Sequence, residues 1–215
     1  MVAFLDRYLA GEHERVWNEL TALGDQVRQE KHRPDASAVA QETMRRVKVN
    51  LQTLIPRLTA LGWRFGVART DQEDYEGVWT PPPPDASARV EAMESVCGPI
   101  PLSLRAFYEI VGGVDLRGAH PDWPGIYDPL LVASCQKVLE NLHATREWRE
   151  QRAREGKPVP PFSLYYAPDF LVKEGISGVG ALYVEGPNGA ADAPLSFEDS
   201  PLPIMFVQSL HNAFR

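Results

Sequence analysis

C-G-P-I-P-L-S-L-R-A-F-Y-E-I-V-G-G-V-D-L-R-G, residues 97–118, decides the fold. Pro99 and Pro101 suit the entry to a helix, because proline fits a first turn and not an interior. Leu104, Phe107, Tyr108 and Val111 follow at i, i+3, i+4 and i+7 and form one apolar stripe. Gly112 and Gly113 stop the helix where a left-handed residue is usually needed, and Val114-Asp115-Leu116 leaves as a strand. The unit holds no metal-ligand set and no phosphate cradle, so on physical grounds it is core rather than chemistry.

Upstream, Asp85 or Ser87 caps a short helix with Val90, Met93 and Val96 on one side. Pro81 to Pro84 form a polyproline-like spacer before it, preceded by Val78-Trp79 and the acidic D-Q-E-D-Y-E loop of residues 71–76. Trp63 to Ala68 alternates large and small residues, as a first strand does. Before Gly62, a long helix capped by Asp35 or Ser37 carries Val39, Met44, Val47, Leu51, Leu54, Leu58 and Leu61, with Pro56 predicting a kink. From Val2 to about Gln29 the spacing is again helical, through Phe4, Tyr8, Val16, Leu20, Leu23 and Val27, and the interruptions at Gly11 and Gly24 allow two helices in place of one.

Downstream, a turn-rich loop presents His120, Asp122 and Trp123. A strand over Ile126–Val132 passes into a helix starting near Ser134, with Val138, Leu139 and Leu142 inward and Trp148 further along. The run R-E-W-R-E-Q-R-A-R-E-G-K, residues 146–157, is mixed in sign and suits a solvated helix face. Phe162–Tyr166 and Ala181–Val184 are further strands, and Leu202–Phe214 closes the chain as an amphipathic helix. The expected fold is α+β: a twisted, largely antiparallel sheet of about five or six strands surrounded by helices. Residues 1–215 form one domain, with 1–62 a helical N-terminal extension, a hairpin, packed on it.

Forty-four per cent apolar residues suffice for a core, and a net charge of −7 argues against a general phosphate-backbone binder. No apolar run approaches a membrane span, and the N-terminus lacks the features of a signal peptide. The two cysteines, Cys97 and Cys135, have no paired spacing, which suits reduced thiols in the cytoplasm. There is no G-x-S-x-G elbow, no H-E-x-x-H and no C-x-x-C. Gly178-Val179-Gly180 lacks the third glycine and the lysine of a nucleotide loop. No cofactor or metal is expected, although His120 with Asp122 is the one place a metal could start.

Three stretches in order resemble one family. I-P-L-S-L-R-A-F-Y-E-I-V-G-G (residues 100–113) resembles the signature helix of the SUKH superfamily, which includes bacterial toxin-immunity proteins and fungal cell-wall-synthesis regulators. I-Y-D-P-L-L (126–131) is similar to the strand that follows it there. A-P-D-F-L-V-K-E-G-I-S-G-V-G-A-L-Y-V-E-G-P (167–187) is similar to a block of one largely uncharacterised bacterial branch, in which Asp169, Lys173 and Ser177-Gly178 recur as a unit. Val179 stands where that branch often has a second glycine, and the chain ends at Arg215 without its tryptophan- and glycine-rich tail.

Two functional readings remain. The resemblance implies a non-enzymatic interaction protein, an immunity or antitoxin-like partner that occludes a toxin, for example a nuclease with a basic groove. The charge and the acidic loop suit such a target through complementary fields. The surface residues for that role are Asp71, Glu73, Asp74, Glu76, Asp122, Trp123, Tyr127, Asp169 and Lys173. The other reading is a small-ligand binder or enzyme whose pocket is lined by Trp123, Tyr127 and Tyr165 or Tyr166.

Overall fold

The computed structural model describes residues 3–66, 76–122, 130–167, 182–197 and 200–214. The architecture is α+β, with helices around antiparallel strands and the expected N-terminal helices. Helices α1 (Phe4–Leu9) and α2 (His13–Ala22) flank Gly11, and a 3-10 turn (Gly24–Arg28) follows before α3 (Arg33–Ala60). The latter passes through Pro56 to Ala60.

The predicted caps of α3 are not used. His32 holds its N-cap position with no side-chain hydrogen bond, and the Asp35 carboxylate turns to another helix instead. It accepts the amides of Phe4 at 2.5 Å and Leu5 at 3.0 Å, satisfying orphan donors in the first turn of α1. Asp35, in the first turn of α3, therefore fastens the start of α1 to the start of α3 across 31 and 30 positions of sequence.

Helix α4 (Ala86–Cys97) leads into α5 (Leu102–Ile110), whose stripe is fully buried at Leu104, Phe107 and Tyr108. Val111 and Gly112 amides both return to the Phe107 carbonyl, at 2.8 and 2.9 Å, which closes the helix. Gly112 takes the left-handed conformation (φ 93°), and Gly113 opens strand β3 (Gly113–Asp115). Packing explains both glycines. A Cβ on Gly112 would fall on the Thr80 carbonyl oxygen, and one on Gly113 would lie 2.9 Å from Ser134 Cβ.

The strands pair in three antiparallel groups among the described residues. β1 (Arg64–Phe65) pairs with β4 (Gly118–Ala119). β3 lies between β2 (Trp79–Thr80) and β5 (Leu131–Val132), with Val114 opposite both Trp79 and Val132. Strands β6 (Phe162–Ala167), β7 (Leu182–Gly186), β8 (Pro194–Phe197) and β9 (Ser200–Met205) form a four-stranded meander. β5 runs beside β6, so the second and third groups are neighbours.

Helix α6 (Cys135–Ala144) packs on α4 and β6, and α7 (Arg146–Arg154) buries no residue, as a solvated helix should. Trp148 on it is 48% exposed. The final helix, α8 (Phe206–Ala213), starts later than the sequence implied, because Leu202–Met205 belongs to β9. One hydrophobic cluster runs from Tyr8 to Leu210 and joins the N-terminal helices to the rest, chiefly through α3 against α5.

Candidate functional site

Of the nine surface residues singled out, the structure describes Glu76 and Asp122. Asp71, Glu73, Asp74, Trp123, Tyr127, Asp169 and Lys173 lie outside the described residues.

Glu76 is exposed just ahead of β2. Its carboxylate accepts a hydrogen bond from the Ser134 hydroxyl at 3.2 Å, while the same hydroxyl accepts the Lys137 amide and caps α6. Glu76, Thr80, Asp115, Val132 and Lys137 line a groove with about 20 Å³ of free space, room for about one water. In its wall Asp115 is buried, and Arg117 bonds its carboxylate through Nε at 2.8 Å and through Nη2 at 2.5 Å. The groove is thus a charged notch rather than a ligand cavity.

Asp122 is also exposed, but its neighbour His120 is structural. The Asp122 amide donates to His120 Nδ1 at 3.1 Å, and His120 Nε2 lies 2.7 Å from the Leu61 carbonyl oxygen. One ring nitrogen ties this loop to the end of α3, and the other fixes the turn that follows β4. Among the described residues no three of His, Cys, Asp and Glu are grouped to hold a metal ion. Nor is any described helix long and apolar enough to cross a membrane.

The thiols are placed for packing. Cys97 and Cys135 are both buried, and burial pushes each thiol up to about 11, so neither is a nucleophile near neutral pH. Between them stands Tyr108, fully buried, with its hydroxyl also held well above its ordinary value by burial. Tyr165, expected in an aromatic pocket with Trp123 and Tyr127, meets Tyr183 across the β6–β7 ladder in an edge contact at 6.4 Å. A wider, open depression of about 530 Å³ on α2 is walled by Glu12, Arg15 and Glu19. There Arg7 bonds Glu19 at 2.7 and 2.8 Å and holds that carboxyl down at about 2.

Sequence reasoning missed a buried polar centre. Asp192 is almost wholly buried, and its Oδ1 accepts from the Ser103 hydroxyl at 2.7 Å while Oδ2 accepts from the Val207 amide at 3.1 Å. One carboxylate therefore serves the first turns of both α5 and α8. The adjacent backbone completes the clamp. The Ala190 and Ala191 carbonyls accept the Leu102 and Ser103 amides, at 3.1 and 2.9 Å, and the Ala193 carbonyl accepts the Phe206 amide at 2.9 Å. Burial pushes Asp192 up to about 6, against the pull of its three donors, Ser103 and the Val207 and Ala193 amides. An aspartate set in A-A-D-A-P, flanked by small residues, was the available signal.

A second network links the N-terminal helices to this clamp. Arg28 bonds the Gly189 carbonyl at 3.0 Å, the Ile100 carbonyl and Glu94 at 3.4 Å, and Glu94 holds Arg105 at 2.7 Å. A scan against known protein families, a search of curated proteins and a search of solved structures each found no match.

Proposed function

We propose that the chain is a cytoplasmic, non-enzymatic protein-interaction module of the SUKH kind, similar to immunity proteins, that binds and occludes a basic toxin domain. The observation that carries the reading is the use made of reactive groups. Both cysteines are buried, His120 and Asp192 are bonded at helix ends, and Asp115 is paired with Arg117. The acidic exposed residues Glu76 and Asp122 are what the described surface offers near the proposed contact loops. A net charge of −7 favours encounter with a cationic partner.

The test is capture with the tagged full chain in its native host, read by mass spectrometry, followed by reconstitution from purified components. The expected prey is a basic domain whose activity falls in stoichiometric proportion to added protein. Prey of acidic character, or prey that binds with its activity intact, contradicts the reading.

A further inference from the structure

The four prolines between β2 and α4 are not only a spacer. Proline fixes φ, and a residue before proline is confined to extended conformations, so Pro81, Pro82 and Pro83 are held in a polyproline II path. That helix has three residues per turn, which places Pro81 and Pro84 on one edge. Pro81 and Pro84 are exposed, whereas Pro82 and Pro83 are half-buried. The periodicity of exposure is that of a polyproline helix laid along the protein with one edge outward.

The inward side is anchored by named contacts. A Cβ on Gly112 would lie 2.9 Å from both the Pro81 carbonyl carbon and the Pro82 nitrogen, so the backbone here rests directly on the α5–β3 turn. Ahead of the segment, the Trp79 indole N–H donates to the Val111 carbonyl at 2.8 Å. Behind it, the Ala86 amide closes a turn on the Pro83 carbonyl at 3.0 Å. The ridge is held at both ends and in the middle, and a binder would meet it already ordered, without the entropic cost of fixing a free peptide.

We propose that residues Thr80–Pro84 form a preorganised docking ridge for a polyproline-reading protein domain. Such domains seat successive X–Pro pairs in slots walled by aromatic rings, and Thr80-Pro81 and Pro83-Pro84 are two such pairs at the required three-residue spacing. The charges flanking the ridge specify the partner further. Glu76 and Asp85 are exposed at its two ends, and Asp85 is bonded to Arg89 at 3.0 Å while Glu76 meets the neutral Ser134 hydroxyl. The partner therefore carries a cationic side chain beyond its first slot, facing Glu76. The ridge does not depend on the toxin reading, because no residue assigned to toxin contact lies within Thr80–Pro84, and only Glu76 flanks it.

The experiment titrates the full-length chain into a ¹⁵N-labelled polyproline-binding domain of the EVH1 class and, in parallel, one of the SH3 class. Saturable shifts confined to the aromatic slots of at least one probe are expected. Pro81→Ala/Pro84→Ala should weaken that binding by about tenfold or more, and Glu76→Gln by less. Circular-dichroism melting checks that the double variant is folded; if its midpoint drops, Pro84→Ala alone gives the same readout at a site whose ring is exposed. No saturable shift with either probe at about millimolar protein overturns the proposal. So does binding that the proline variants leave unchanged, which would assign the interaction to charge.

Discussion

Asp192 occupies a place where ionisation is costly, and that cost is measurable. Its carboxyl sits near 6 in the folded chain against an ordinary value of 3.8, because burial outweighs the hydrogen bonds from Ser103 and the Val207 and Ala193 amides. The folded state therefore binds the proton more tightly than the unfolded chain. The resulting stability is fully present below about pH 4 and is lost as pH rises through about 6, a swing on the order of 3 kcal/mol. Asp192→Asn keeps the shape and removes the titration. Melting from pH 3.5 to 7.5 should show the wild type falling relative to the variant between about pH 4 and 6; parallel curves would mean that the carboxylate is solvated in the fold. Gly112 poses a different residue-scale constraint. Valine there incurs about 1–3 kcal/mol of backbone strain and a comparable amount for displacing the Thr80–Pro82 backbone. An unchanged denaturation midpoint for Gly112→Val would refute the close approach.

At the scale of elements, α5 is the member against which the others are arranged. It packs on α3, α4 and α8, and Phe107 makes edge contacts with Tyr108 at 6.1 Å and Phe206 at 5.6 Å. Phe107→Ala should destabilise by about 3–5 kcal/mol in urea titration, since the ring is fully buried and three helices cannot all close on the void. A loss under about 1 kcal/mol would mean that the cluster repacks freely. This element was legible because its signals are local: prolines before, a stripe at helical spacing, two glycines after. The β8–β9 hairpin was not, for an equally physical reason. Pro194, Pro201 and Pro203 erase strand alternation, yet Pro194 is the first residue of β8 and β9 is the edge of its sheet, places where a missing amide donor is tolerated. Contacts distant in sequence were also invisible. Asp35 looked like the cap of its own helix and serves α1, and Asp192 meets Ser103 across 89 positions that no spacing rule connects.

The whole molecule carries its negative charge unevenly, and the acidic loop tests whether that matters. Asp71, Glu73, Asp74 and Glu76 place four carboxylates within six residues, and Arg69 is the neighbouring cation in sequence. Unpaired charges are costly to desolvate, so such a cluster favours solvent, where its field reaches about a Debye length, ~8 Å at physiological salt. Neutralising Asp71, Glu73 and Asp74 together changes the net charge from −7 to −4. Steering acts on encounter rather than on the docked contact. The triple variant should therefore associate with a basic partner roughly tenfold more slowly at low salt, with dissociation much less affected. Its melting temperature should stay near that of the wild type, which separates steering from stability. Association rate against ionic strength, measured for both proteins with the captured partner, decides the matter. A shallower salt slope in the variant assigns the loop a part in recognition. Parallel slopes would leave the encounter to charges elsewhere on the surface and remove the loop from the proposed interface.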